Sequence, residues 1–176
     1  NAHFGISVGT AGDVNGDGYA DVIVGAYDYD NGQNNEGAAA VYLGSAFGLS
    51  PTANWTAESD QASAYFGRSV GTAGDVNGDG FADVIVGAPY YDNGGFDEGR
   101  AFVFHGSASG LSPTPNWTAE SDQYQSHFGT DVCTAGDVNR DGFADVIVGA
   151  PYYANGEDDE GRAFVYHGSA SGLGPT

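Results

Sequence analysis

Three short stretches carry the residues most able to do chemistry. The first reads Asp13-Val-Asn15-Gly-Asp17-Gly18-Tyr19-Ala-Asp21, the second Asp75-Val-Asn77-Gly-Asp79-Gly80-Phe81-Ala-Asp83, and the third Asp137-Val-Asn139-Arg140-Asp141-Gly142-Phe143-Ala-Asp145. Side-chain oxygens at positions 1, 3, 5 and 9 can converge on one cation. A glycine at position 6 permits the sharp turn, and the backbone carbonyl of position 7 (Tyr19, Phe81 or Phe143) adds an oxygen. Calcium takes 6–8 oxygen ligands at about 2.3–2.6 Å, so an all-oxygen set on this spacing reads as a calcium loop, about three ions per chain. Without metal, the nine aspartates of the three loops repel one another.

The motif resembles the calcium loops of EF-hands and dockerins, which carry an acidic residue at position 12 and run into a helix. Here position 12 is Val24, Val86 or Val148, inside a β-like run. The loop is therefore expected to join two strands, and a helix-opening calcium switch is not expected.

The elements that hold these loops recur with them. Phe4, Phe66 and Phe128, each followed by glycine, lie 62 residues apart, and Gly44, Gly106 and Gly168 keep the same period. Trp55 and Trp117 repeat once, and the third copy lacks the ten residues equivalent to 53–62. Three units follow: 1–62, 63–124 and 125–176, the last without its outer strand. Such a period marks an array whose units bury their faces against neighbours. Within a unit, residues 4–10, 20–26, 38–43 and 54–58 read as strands. Ala-Asp-Val-Ile-Val-Gly-Ala at 20–26 is a continuous β-branched run, as in a strand buried on both faces. No stretch has helical spacing, so the fold class is all-β, with about four antiparallel strands per propeller blade.

Composition excludes several functions. Four arginines and no lysine against 24 acidic residues give a net charge of −20. Phosphate contacts need clustered cations, so nucleic acid is not a partner, and no basic patch would hold the chain on an anionic membrane. No apolar run approaches the ~20 residues of a membrane span, and a soluble protein is expected. With no methionine and no leader, Asn1 reads as a processed end or the start of an excerpt. Cys133 is the lone cysteine, stands where copies one and two have Gly9 and Gly71, and is expected to be a small buried residue.

Phe-Gly, the calcium loop, Val-Gly-Ala-Pro at 86–89 and 148–151, and Glu-Gly-Arg-Ala-Phe-Val at 98–103 and 160–165 together resemble the FG-GAP repeat of integrin α-subunit propellers. The resemblance covers nearly the whole chain. It implies a radial propeller whose inner strand starts at Phe-Gly, calcium in the loop between strands one and two on the lower face, and ligands on the opposite face. Copy one departs with Tyr27 in place of proline, and copy three with Arg140 beside its ligands. The integrin propeller has seven blades and this chain supplies three, so it is expected to be part of a longer array or to assemble, as a six-blade dimer or a filament.

A second set of acidic residues falls between strands two and three: Asp28, Asp30 and Glu36; Asp92, Asp97 and Glu98; and residues 157–160. These loops carry Tyr27, Tyr29, Tyr90, Tyr91, Phe96, Tyr152 and Tyr153, and read as a solvated surface, a partner surface for protein or glycan, or a further cation site. Asn54 and Asn116 begin glycosylation sequons, while His3 and His127 share a slot with Tyr65. His105 and His167 follow the third strand, where copy one has Leu43, and read as packing. Arg100 and Arg162 are placed to pair with carboxylates. No residue set breaks the repeat as a nucleophile and base would, so a non-enzymatic, calcium-stabilised binding or adhesion module is expected, with a self-assembling array as the alternative. Millimolar calcium places it outside the cell or at its surface.

Overall fold

The computed structural model describes residues 2–174, so the first residue of the unit starting at Asn1 and the last two of the unit ending at Thr176 lie outside the described residues. The described chain is all-β and folds as three antiparallel sheets, the blades of a partial propeller. In the first, β1 (Ser7–Gly12), β2 (Asp21–Ala26), β3 (Ala38–Tyr42) and β4 (Trp55–Glu58) lie in that order. The second repeats it with β5 (Ser69–Gly74), β6 (Asp83–Ala88), β7 (Arg100–Phe104) and β8 (Trp117–Glu120), and the third has β9 (Asp131–Gly136), β10 (Asp145–Ala150) and β11 (Arg162–Tyr166). Among the described residues no helix is long and apolar enough to cross a membrane.

Burial explains the strand order. The Asp-Val-Ile-Val-Gly-Ala run of β2, β6 and β10 has no polar face after its aspartate, so it takes the second place in its sheet, between two partners and beneath neighbouring blades. β4 and β8 have no fully buried residue, with an exposed threonine among half-buried neighbours, and lie at the sheet edge. One core joins Ile23, Ala39 and Val41 of the first blade to Phe66, Val84, Val86, Phe102 and Phe104 of the second. A second core joins Ile85 and Val103 to Phe128, Val146, Val148 and Tyr166.

The Phe-Gly pairs stand before the inner strands rather than inside them, contrary to the strand expected over 4–10. Gly67 takes φ +82°, and Gly129 +87°, which a strand residue does not adopt. The turn drops Phe66 and Phe128 into the cores, where Phe66 meets Phe102 edge-on with ring centroids 5.2 Å apart. It also brings the Gly67 carbonyl against Gly25 of the preceding blade, where an added Cβ would stand 2.0 Å from that oxygen. The same contact joins Gly129 to Gly87.

Cys133 is exposed, not buried. It sits on the outward side of the third blade, where no following blade covers it. The inner strands end in an irregularity, between Thr10 and Gly12 in β1 and between Thr72 and Gly74 in β5. Thr10 Oγ1 accepts the Gly12 N–H at 3.1 Å there, re-aiming the chain into the acidic loop.

Candidate metal centres

Each acidic loop closes around its first aspartate. Asp13 Oδ1 accepts the N–H groups of Gly16 at 2.7 Å and Asp17 at 3.1 Å, and Oδ2 accepts that of Gly18 at 2.8 Å. Asn15 Oδ1 accepts the Asp17 N–H at 3.1 Å, its Nδ2 donates to Asp17 Oδ2 at 2.9 Å, and Asp17 Oδ1 accepts the Tyr19 N–H at 2.9 Å. The second loop repeats these bonds through Asp75, Asn77, Asp79 and Phe81. The third repeats all but one through Asp137, Asn139, Asp141 and Phe143. Among the described residues no bond runs from the Arg140 N–H to Asp137.

The ninth position ties the loop to its sheet. Asp21 is fully buried, with Oδ2 accepting the Val14 N–H at 2.9 Å and Oδ1 the Gly44 N–H at 2.8 Å. Asp83 does the same with Val76 and Gly106, and Asp145 with Val138 and Gly168. Burial pushes the Asp83 carboxyl up to about 7, against the pull of the Gly106 and Val76 N–H groups and with the repulsion of Asp79 and Asp75. Asp21 is raised for the same leading reason. At Asp145 burial also raises the carboxyl, but the N–H groups of Gly168 and Val138 together with His167 outweigh it and hold it below the usual range.

The donor set suits a hard dication: every candidate ligand in these loops is oxygen, and each hydrogen-bonded carboxylate oxygen keeps lone-pair capacity. The three carboxylates of one loop nonetheless stand apart. Among the described residues, one set of three acidic side chains brings an oxygen from each within 4.8 Å of the others: Glu36, Glu58 and Asp60. Only Glu36 of these was singled out from the sequence.

The loops also link the blades. The Asp13 carbonyl accepts the Ala82 N–H at 3.0 Å and the Val14 carbonyl the Ser107 N–H at 3.1 Å; Asp75 and Val76 do the same for Ala144 and Ser169 of the third blade. His105 and His167, expected to be packing residues, also reach this end. His105 is partly buried with Nδ1 3.2 Å from Asn77 Nδ2, and His167 Nδ1 lies 3.3 Å from Asp145 Oδ1. Both sequon asparagines are exposed and tie back to their own sheet: Asn54 Oδ1 accepts the Leu43 N–H at 3.1 Å and Asn116 Oδ1 that of His105 at 2.9 Å.

The other end of each sheet is aromatic. Rings of His3, Tyr27, Tyr65, Tyr90, His127 and Tyr152 form one ladder across all three blades, with successive centroids 5.4, 5.5, 5.0, 4.6 and 4.8 Å apart. Asp28 meets His3 at 2.5 Å, and Asp97 lies 4.0 Å from His127. Arg100 pairs with Glu120 at 2.9 Å; Arg162 packs 4.6 Å from the Phe164 ring centroid.

With that geometry in hand, comparison with known proteins is specific. The family model for the FG-GAP repeat matches residues 4–42, 66–104 and 128–166. Integrin alpha-V of Gallus gallus is 34% identical over 178 aligned positions, which cover 98% of this chain and 16% of that protein. Integrin alpha pat-2 of Caenorhabditis elegans is 36% identical over 92% of this chain and 14% of its own length. Integrin alpha-3 of Cricetulus griseus is 38% identical over 66% of this chain and 11% of its own length. The chain thus spans a small part of each relative.

Proposed function

Because the chain belongs to the FG-GAP repeat family, we propose that it is a calcium-stabilised, integrin-α-like propeller module that presents a binding surface for adhesion outside the cell or at its surface. The carrying observation is the division between the two ends of the blades. One end repeats the same hydrogen-bonded oxygen cradle three times. The other varies from blade to blade and is crossed by the aromatic ladder from His3 to Tyr152.

In this reading each unit, 1–62, 63–124 and 125–176, is one blade. The ions are held by Asp13, Asn15, Asp17, the Tyr19 carbonyl and Asp21, and by their counterparts at 75, 77, 79, 81 and 83 and at 137, 139, 141, 143 and 145. Calcium supplies charge neutralisation when bound. The chain's own contribution is to carry, on the same loops, the carbonyls that accept N–H groups of the next blade. Fixing the loop therefore fixes the angle between blades. Repetition of the aspartates favours this structural role over catalysis, for which a site is built once. The ladder offers flat apolar faces beside acidic residues, suited to a protein or glycan ligand.

Native mass spectrometry with and without chelator tests the loop assignment. Asp17→Ala, Asp79→Ala and Asp141→Ala each lose about one ion, and chelation lowers the melting temperature substantially. Unchanged ion counts in all three variants, with a chelator-insensitive melt, overturn it. A second reading, self-assembly into a closed dimer or filament, draws on the two apolar faces left open at the ends of the array, where Val8 and Val165 are exposed. Its test is the mass in solution by light scattering.

A further inference from the structure

The first and second repeats differ at one position that changes the charge balance of the outer strands. Gly99 is followed by Arg100, whereas Gly37 is followed by Ala38. In the second blade the register sets Arg100 opposite Glu120, and its Nε and Nη2 donate to Glu120 Oε2 at 3.2 and 2.9 Å. The guanidinium also lies 4.3 Å from the Tyr91 ring centroid. In the first blade the same register sets Ala38 opposite Glu58. The acidic partners are kept and the cation is gone.

What is left is an acidic site graded from a buried Glu36 through a half-buried Glu58 to an exposed Asp60. Glu36 has no exposed surface. Its Oε1 accepts the Asn31 N–H, while Oε2, also buried, has no hydrogen-bond partner among the described residues. Asn31 Nδ2 donates to both Glu58 oxygens at 2.9 and 3.1 Å, drawing that carboxylate to the same place. Asp60 completes the set whose oxygens lie within 4.8 Å of one another. Taking a carboxylate out of water without a partner for its charge is among the costliest acts in folding, so such groups pair or coordinate a cation.

We propose that Glu36, Glu58 and Asp60 form a divalent-cation site, filled by calcium, that does in the first blade what the Arg100 guanidinium does in the second. The donor set is all carboxylate oxygen, which suits a hard cation. The three carboxylates each offer an oxygen within 4.8 Å of the others, close enough for small side-chain rotations to bring them onto one calcium at about 2.4 Å. Ala38 and Ala40, in place of Arg100 and Phe102, help line a cavity of about 340 Å³ on the open face of the first blade that reaches Asn31 and Glu58, so water has access to the Glu58 side of the site. The site lies where β3 begins and β4 ends, at the opposite end of the sheet from the Asp13 loop, and stands independently of the loop assignment.

Ala38→Arg and Glu58→Gln, each made in the whole chain, are compared with wild type by native mass spectrometry in calcium and by calorimetric calcium titration. Each variant binds one calcium fewer per chain, and Ala38→Arg melts higher than wild type in chelator because the built-in cation replaces the ion. Glu58→Gln, nearly isosteric, serves where the larger side chain disturbs the blade. Wild-type calcium counts in both variants overturn the proposal. Asp79→Ala is run alongside: an ion lost there but not from Ala38→Arg or Glu58→Gln sinks this site alone, and the reverse pattern sinks the loop assignment alone.

Discussion

Phe66 and Phe4 occupy the same place in consecutive repeats, yet Phe66 is 1% exposed and Phe4 59%. The opposite face shows the mirror pattern: Val103 is completely buried and its counterpart Val165 is 38% exposed. Nothing in the local sequence accounts for this. The second blade has a neighbour on both faces, and each end blade has one on a single face. A blade of this family is therefore not a small core with a surface. It is two half-cores, each finished by the next copy, so stability resides at the junctions.

The largest effect that can test this is removal of a junction phenylalanine. Phe66→Ala empties a site packed between blades and costs about 3–5 kcal/mol, the range for a buried aromatic cut to alanine. Phe4→Ala, the same chemical change on an open face, stays within about 0.5 kcal/mol. Denaturant unfolding of both variants measures the contrast. Comparable losses would mean that the first face is covered in solution, and the comparison would fail.

A smaller contrast sits in the glycines that let blades approach. A Cβ added at Gly87 would stand 2.0 Å from the Gly129 carbonyl oxygen, whereas at Gly149 the nearest atom is 3.7 Å away. Gly87→Ala forces two blades apart and costs about 1–3 kcal/mol, the usual range for overpacking. Gly149→Ala meets ordinary contact distances and is neutral, or stabilising by up to about 1 kcal/mol through reduced freedom of the unfolded chain. Thermal melts of the pair read the difference directly.

Much of this was legible before any coordinates, because the repeat makes each pattern appear three times. The acidic loops, the buried run from Asp83 to Ala88 and the antiparallel sheets all follow from spacing and β-branched content. The Phe-Gly pairs were misread as strand because residue type alone does not reveal that Gly67 takes a positive φ. Cys133 was misread because free cysteine usually packs as a small buried residue, whereas here the aligned Gly9 and Gly71 have a following blade and Cys133 has none. The Glu36, Glu58 and Asp60 set was hidden because its members lie on different elements that only the pairing of Ala38 with Glu58 brings together. The signal that could have exposed it is the alanine where copies two and three carry arginine.

The finest version of the comparison is within the loops. Gly16 and Gly78 take φ +72° and +73°, and their N–H groups reach the first aspartate at 2.7 and 2.6 Å. Arg140 takes φ +63° in the third loop, a region that costs a non-glycine residue about 1–2 kcal/mol. An added Cβ at Gly78 would stand 2.5 Å from the Phe143 ring of the next blade, so a side chain is tolerated there only where no blade follows. Arg140→Gly relieves the backbone but gives the unfolded chain more freedom, a cost of about 0.5–1 kcal/mol, so the net gain in stability is under about 1 kcal/mol. Its clearer mark is on the ion. If the third loop holds calcium as proposed, removing a positive charge next to Asp141 tightens its binding, and the gain shrinks as added salt screens the repulsion. Calcium titration of wild type and Arg140→Gly at low and high ionic strength separates the two contributions. A tightening that salt does not touch assigns the effect to the recovered backbone turn, and no tightening at either ionic strength removes Arg140 from the account of the third site.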